Sequence, residues 1–195
     1  MAEDAHLIEQ RTGRQELLKG RFLHVVRDTV RLPDGGEATR EFVLHPGAVA
    51  VVPLLDDGRI VLERQYRHAV GAVQIEIPAG KLDPGERPIA CAQRELLEET
   101  GYVASEYAYA FTLHPTVAYS DEFIEIWFAR GLTAGTARLD EGEFLEVFTA
   151  TADEFLAWCR DGVIRDCKTL ASALWLQNVR SGAWNLDWRP PSSHP

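Results

Sequence analysis

The succession of apolar and polar positions predicts a strand-rich chain with one helix in its middle and two near its end. Phe22 to Leu32 (FLHVVRDTVRL) is rich in β-branched and aromatic residues. Pro33-Asp34-Gly35-Gly36 is a turn signal, and Ala38 to Leu44 returns as the second strand of a hairpin. Ala48 to Leu55 reads as a buried strand, Asp57-Gly58 as a turn, and Arg59 to Tyr66 as the next strand. A short extended piece, Val73 to Ile77, ends at Pro78-Ala79-Gly80. The period then changes. Pro88 to Thr100 is built of good helix formers, carries proline early and meets Gly101 as a stop. Strand signals resume at Tyr107 to Leu113, Glu122 to Arg130 and Phe144 to Thr149. Thr151-Ala152-Asp153-Glu154 is a capping box opening a helix that ends near Gly162, and Asp166 caps a last helix from Cys167 to Val179. Strand and helix do not alternate regularly enough for a doubly wound sheet. The expected class is therefore α/β, a sandwich around a mixed sheet.

Composition narrows this picture. A chain of 195 residues, 46% hydrophobic and 26% charged, has the length of one domain and buries a core without disulfides or a structural metal. Thirty acidic side chains against 20 basic ones, a net charge of −10, argue against a non-specific nucleic-acid binder. A phosphorylated substrate stays open, because one divalent cation reverses the local field. The longest apolar run, Ala48 to Leu55, is too short to cross a membrane, and no apolar stretch follows the opening Met-Ala-Glu-Asp as a secretory signal would. Cys91, Cys159 and Cys167 form no CxxC pair and read as reduced core fillers of a cytoplasmic protein. Trp184 and Trp188 are expected to pack the end of the chain onto its body or a partner subunit, and residues 189–195, with three prolines, to be a disordered tail.

The chemistry concentrates in Gly80 to Tyr102, GKLDPGERPIACAQRELLEETGY. Glu95 and Glu99 are four apart on the predicted helix and project from one face, with Glu98 on a neighbouring line. Arg94 offsets Glu98, which leaves Glu95 and Glu99 without a local basic partner. Paired glutamates on a helix are most often a solvated face. A carboxylate cluster without nitrogen or sulfur donors also suits a hard divalent ion, Mg²⁺ or Mn²⁺, rather than zinc.

The spacing of the whole segment decides between these readings. Gly80, Glu86, Arg94, Glu95, Leu96, Glu98, Glu99, Gly101 and Tyr102 resemble the signature of the Nudix hydrolases, with only Tyr102 standing where an aliphatic residue is usual. The seven positions of fixed identity (all but Leu96 and Tyr102) match by chance on the order of once in 10⁸ starting points. Arg40-Glu41, Arg64-Gln65-Tyr66-Arg67, Glu76-Ile77-Pro78-Ala79-Gly80, Ser120-Asp121-Glu122, Asp140-Glu141-Gly142-Glu143 and Gly162 to Thr169 resemble the surroundings of that signature in the ADP-ribose pyrophosphatase branch. Val117 stands where that branch has a diagnostic proline, and Pro115 lies two residues earlier.

The resemblance implies a Nudix-type α/β/α sandwich over residues 46–188, preceded by an N-terminal β-hairpin region (1–45) that dimerises. It implies metal ligation by Glu95, Glu98, Glu99 and the carbonyl of Ala79, with Glu143 joining them or holding a water. Glu98 and Glu99 count among the catalytic groups, and Glu141 is the general base, carried on a lid at Leu132 to Gly142. Arg40, Arg67 and Glu76 contact the substrate, whereas Gly80, Glu86, Arg94 and Gly101 shape the motif, Glu86 and Arg94 through a salt bridge. The implied reaction is Mg²⁺-dependent hydrolysis of a nucleoside diphosphate derivative, ADP-ribose first, to AMP and ribose 5-phosphate. A broader GDP- or UDP-sugar hydrolase and a non-catalytic ADP-ribose-binding regulator are the alternatives.

Overall fold

A computed structural model describes residues 4–139 and 141–194. Two compact units divide the chain: Met1–Pro46 with Thr116–Phe123, and Gly47–Pro115 with Ile124–Pro195.

The first unit is an antiparallel sheet in the order β1 (Gln10–Lys19), β2 (His24–Arg31), β3 (Glu37–Leu44). The expected hairpin is β2 and β3, in register from His24↔Leu44 to Arg31↔Glu37. β1 was not legible, because nearly all of its positions are exposed and no alternation marks an inner face. Ion pairs hold these strands. Buried Asp28 takes the Arg14 fork at 2.6 and 2.8 Å, and Arg27 donates to Glu41. The segment 116–123 belongs to this unit, joined by Val43 N–H to the Tyr119 carbonyl (2.9 Å) and His45 N–H to Asp121 Oδ1 (2.8 Å).

The second unit contains β4 (Ala48–Pro53), β5 (Arg59–Arg67), β6 (Ala72–Glu76), β7 (Ala79–Lys81), α1 (Pro88–Thr100), β8 (Tyr102–Leu113), β9 (Ile124–Ala134), β10 (Leu145–Thr151), α2 (Ala152–Arg160) and α3 (Cys167–Arg180). The mixed sheet is present as β7-β4-β9-β8, parallel only between β4 and β9, and a separate antiparallel sheet runs β10-β5-β6. All six β4 positions are buried, because the strand is covered on both faces. Ala48, Ala50 and Val52 join Ile60, Leu62, Phe155 and Leu176 in one core, while Val49 and Val51 join Ile89, Cys91, Ala92 and Leu96 of α1 in the other. The sequence signals at the helix ends hold: Thr151 and Glu154 cap α2 reciprocally, and the Asp166 side chain accepts from Thr169 N–H at the start of α3.

Two readings need correction. The end of the chain is ordered through residue 194: Arg189 pairs with the backbone of Tyr107, Pro191–Ser193 form a 3₁₀ turn, and His194 Nε2 donates to the Tyr107 carbonyl at 3.0 Å. Proline removes a donor but not an acceptor, and Arg189 and His194 supply the donors. Trp188 lies 4.3 Å from the Arg130 guanidinium and Trp184 meets Trp175 edge-on, so both tryptophans pack onto the body. Pro195 lies outside the described residues. The three cysteines are unbonded as expected, but Cys167 is exposed and is no core filler. No described helix is long and apolar enough to cross a membrane.

Candidate active site

α1 carries the box carboxylates and starts at Arg87-Pro88, where proline replaces a donor the first turn cannot use. It stops at Gly101, whose φ of 75° a side chain would resist. The loop after β9 then satisfies the helix end: Arg138 N–H donates to the Glu98 carbonyl (2.8 Å) and Gly135 N–H to the Gly101 carbonyl (2.6 Å). A Cβ on Gly101 would stand 2.8 Å from the Ala137 nitrogen. The expected lid is therefore corrected in its first half, since Leu132 to Ala134 belong to β9 and 135–138 dock on α1. Leu139 and Glu141 beyond them are exposed, and Asp140 lies outside the described residues.

Two carboxylates of α1, Glu95 and Glu99, lie against β7. Glu99 Oε2 accepts from Ala79 N–H at 2.9 Å. Glu95 covers Gly80, where an added Cβ would fall 1.8 Å from Oε1, so only glycine lets this carboxylate sit there. Arg94 binds Glu86 with two donors (2.9 and 2.8 Å) and turns a third nitrogen to both Glu95 (2.7 Å) and Glu98 (3.1 Å). Glu95 thus has the basic neighbour that helix spacing alone did not give it. The guanidinium holds the Glu86 carboxyl down to about 2. Burial raises Glu95, and it raises Glu99 much further, helped by the nearby charges of Glu63 and Glu95.

A second set faces this helix from β5, β6 and α3. Arg67 grips Glu76 through two parallel bonds of 2.7 and 2.8 Å. Lys168, buried on α3, donates to the same Glu76 and to Asp166. Burial works against an ionised Glu76, but Arg67 and Lys168 outweigh it and keep its carboxyl below the ordinary value. Gln65 donates to Glu143 at 3.3 Å, and Glu143 lies near enough to Glu63, Glu95 and Glu99 to raise all three. Glu63, 0% exposed, opposes Glu76 across β5 and β6, and neither of its oxygens has a hydrogen-bond partner among the described residues. Burial raises its carboxyl as well.

The structure therefore brings together Ala79, Gly80, Glu86, Arg94, Glu95, Glu98 and Glu99 with Arg67, Glu76 and Glu143. Glu141 is exposed and accepts no hydrogen bond from the described residues. Arg40 belongs to the other unit, paired with Glu9, and lines a cleft of about 220 Å³ with Val117 and Tyr119. Sequence reasoning missed Glu63 and Lys168. An acid ending the apolar run Ile60-Val61-Leu62 was the available signal for Glu63.

The donors around Glu99 are all oxygen, and their negative charge exceeds the cations beside them, as a hard divalent ion requires. Among the described residues no three such side chains converge on one point, and Arg94 is paired with both Glu95 and Glu98.

Comparison with known proteins places the chain in a family. Residues 44–167 match the NUDIX domain, and residues 9–43 match the nucleoside diphosphate sugar hydrolase N-terminal domain. The chain is 38% identical to a methanol dehydrogenase activator of Bacillus methanolicus and 35% identical to an ADP-ribose pyrophosphatase of Bacillus subtilis (strain 168); each match covers 88% of this chain and 94% of the relative. Its fold matches a crystal structure of an ADP compounds hydrolase with a TM-score of 0.78 at 23% identity, covering 91% of this chain and 98% of that one.

Proposed function

The chain belongs to the Nudix family and is a Nudix hydrolase, and we propose that it hydrolyses the diphosphate of ADP-ribose, with Mg²⁺, to AMP and ribose 5-phosphate. The observation that carries this reading is the surplus of carboxylate over cation around Glu99, on a helix that keeps every acidic position of the box. Glu95, Glu98, Glu99, Glu143 and the carbonyl of Ala79 are the groups to hold the ion, with Mn²⁺ as a substitute. Bound there, it would offset the negative charge of the diphosphate and lower the pKa of a water, so that the water gives up a proton more readily. Arg67, fixed in direction by Glu76, keeps further N–H donors for an anionic substrate. Arg40 is a further residue read as contacting the substrate. Glu141 accepts the proton of the attacking water. The chain is read as a homodimer through its first unit, where Leu7, Ile8, Leu18, Phe22 and Leu23 are exposed; sedimentation as a monomer with full activity would remove that part.

A second reading, hydrolysis of GDP- or UDP-sugars, draws support from Val117, which lines the Arg40 cleft in place of the branch's proline. Competition separates the two. With ADP-ribose and GDP- and UDP-sugars mixed at equal concentration, the proposal expects AMP to form first, and preferential release of GMP or UMP would favour the broader enzyme.

A further inference from the structure

We propose that Glu63 is an additional carboxylate of the cation site, near Glu99 and completing the coordination of a divalent ion from strand β5. The inference rests on the reading that the box carboxylates hold such an ion, and it adds a group from β5 that the box does not contain.

Charge accounting carries it. The groups facing Glu63 are Arg67 on its own strand, Glu76 on β6, Lys168 on α3, Glu99 on α1 and Glu143 beside β10. Of these only Arg67 and Lys168 are cationic. Arg67 spends Nε and one Nη on Glu76, and Lys168 is held by Glu76 and Asp166. Those four charges close on themselves, so Arg67 and Lys168 act on Glu63 only at a distance, without a hydrogen bond. Glu99 has one backbone donor, from Ala79, and Glu63 has none.

A fully buried carboxylate without a donor forfeits its hydration and gains nothing in return. A proton would neutralise it but leave its carbonyl oxygen without a donor, since no described donor reaches either oxygen. A divalent cation satisfies both oxygens together and offsets Glu99 as well. The position is also sheltered. Glu63 lies in strand register opposite Glu76 and Val147, on interior backbone that both neighbouring strands fix.

The test is Mn²⁺ binding by isothermal titration to the EDTA-stripped full chain, without substrate. The variants are Glu63→Gln, Glu63→Met and, as the reference, Glu95→Gln. Both Glu63 variants should bind Mn²⁺ ~10–100-fold more weakly, a loss typical of groups that support a metal site. Glu63→Met also removes the buried charge in similar volume, so in EDTA it should melt above the parent chain, which keeps the test open if the Gln variant folds poorly. Mn²⁺ affinity within twofold of the parent in either folded Glu63 variant, with binding lost in Glu95→Gln, overturns the role of Glu63 and leaves the box reading standing. Unchanged affinity in all three variants overturns both.

Discussion

Glu99→Gln should abolish most turnover while making the metal-free protein more stable. The substitution keeps shape and helix propensity and deletes one charge. A ligand supplying several kcal/mol of transition-state stabilisation corresponds to a loss of ~10²–10⁴-fold in kcat. Stability moves the other way because Glu99 is buried against Glu63 and Glu95 and has a single backbone donor. Both Glu63 and Glu99 bind protons more tightly in the folded chain than at their ordinary value of 4.5. From about pH 4.5 to about 7, where Glu63 titrates, the native state therefore holds more protons than the unfolded one, and stability falls as pH rises. In EDTA the parent chain should melt lower at pH 8 than at pH 5, with a smaller difference in Glu99→Gln. Near-normal turnover of the variant at saturating Mg²⁺ would remove Glu99 from the cation site.

Glu141→Gln is the second large effect. A positioned general base contributes roughly 10²–10⁴-fold, and Glu141 is exposed rather than engaged in the cluster, so its loss should leave Mn²⁺ affinity and melting temperature unchanged. Glu143→Gln should instead weaken Mn²⁺ binding, because Glu143 stands beside Glu63, Glu95 and Glu99. Parallel kinetics and titration on the two variants separate the roles. Normal turnover in Glu141→Gln, with a large loss in Glu143→Gln, would assign the proton transfer to Glu143, the loop carboxylate that Gln65 already holds at the site.

What the sequence disclosed follows from how locally each feature is determined. α1 was legible to the residue, because Pro88 and Gly101 mark its ends and the Glu95, Glu98, Glu99 spacing lies within one helix. β4 was legible from an apolar run buried on both faces. β1 was not, since an exposed strand held by cross-strand pairs such as Arg14 with Asp28 leaves no hydrophobic period. The order in 189–194 depends on Tyr107 and Trp127, distant in sequence, and local composition carries no trace of them. The floor of the site was hidden for the same reason. Glu76 was singled out, but its partners Arg67 and Lys168 meet it only through the β5–β6 pairing and the placement of α3, and Glu63 acquires its meaning from theirs. Glu95 is the converse case: Arg94 is its immediate neighbour, and helix spacing alone did not disclose their contact.

If this acid-rich site hydrolyses a nucleoside diphosphate linkage with a divalent cation, the new phosphate oxygen comes from water. The direct measurement is incubation of the full chain with ADP-ribose and Mg²⁺ in ¹⁸O-water, with products weighed by mass spectrometry and an EDTA arm beside it. AMP and ribose 5-phosphate should form, with one ¹⁸O in one of the two phosphates, and no products should form in EDTA. Intact ADP-ribose in the Mg²⁺ arm, with the chain folded, or products free of ¹⁸O would contradict it.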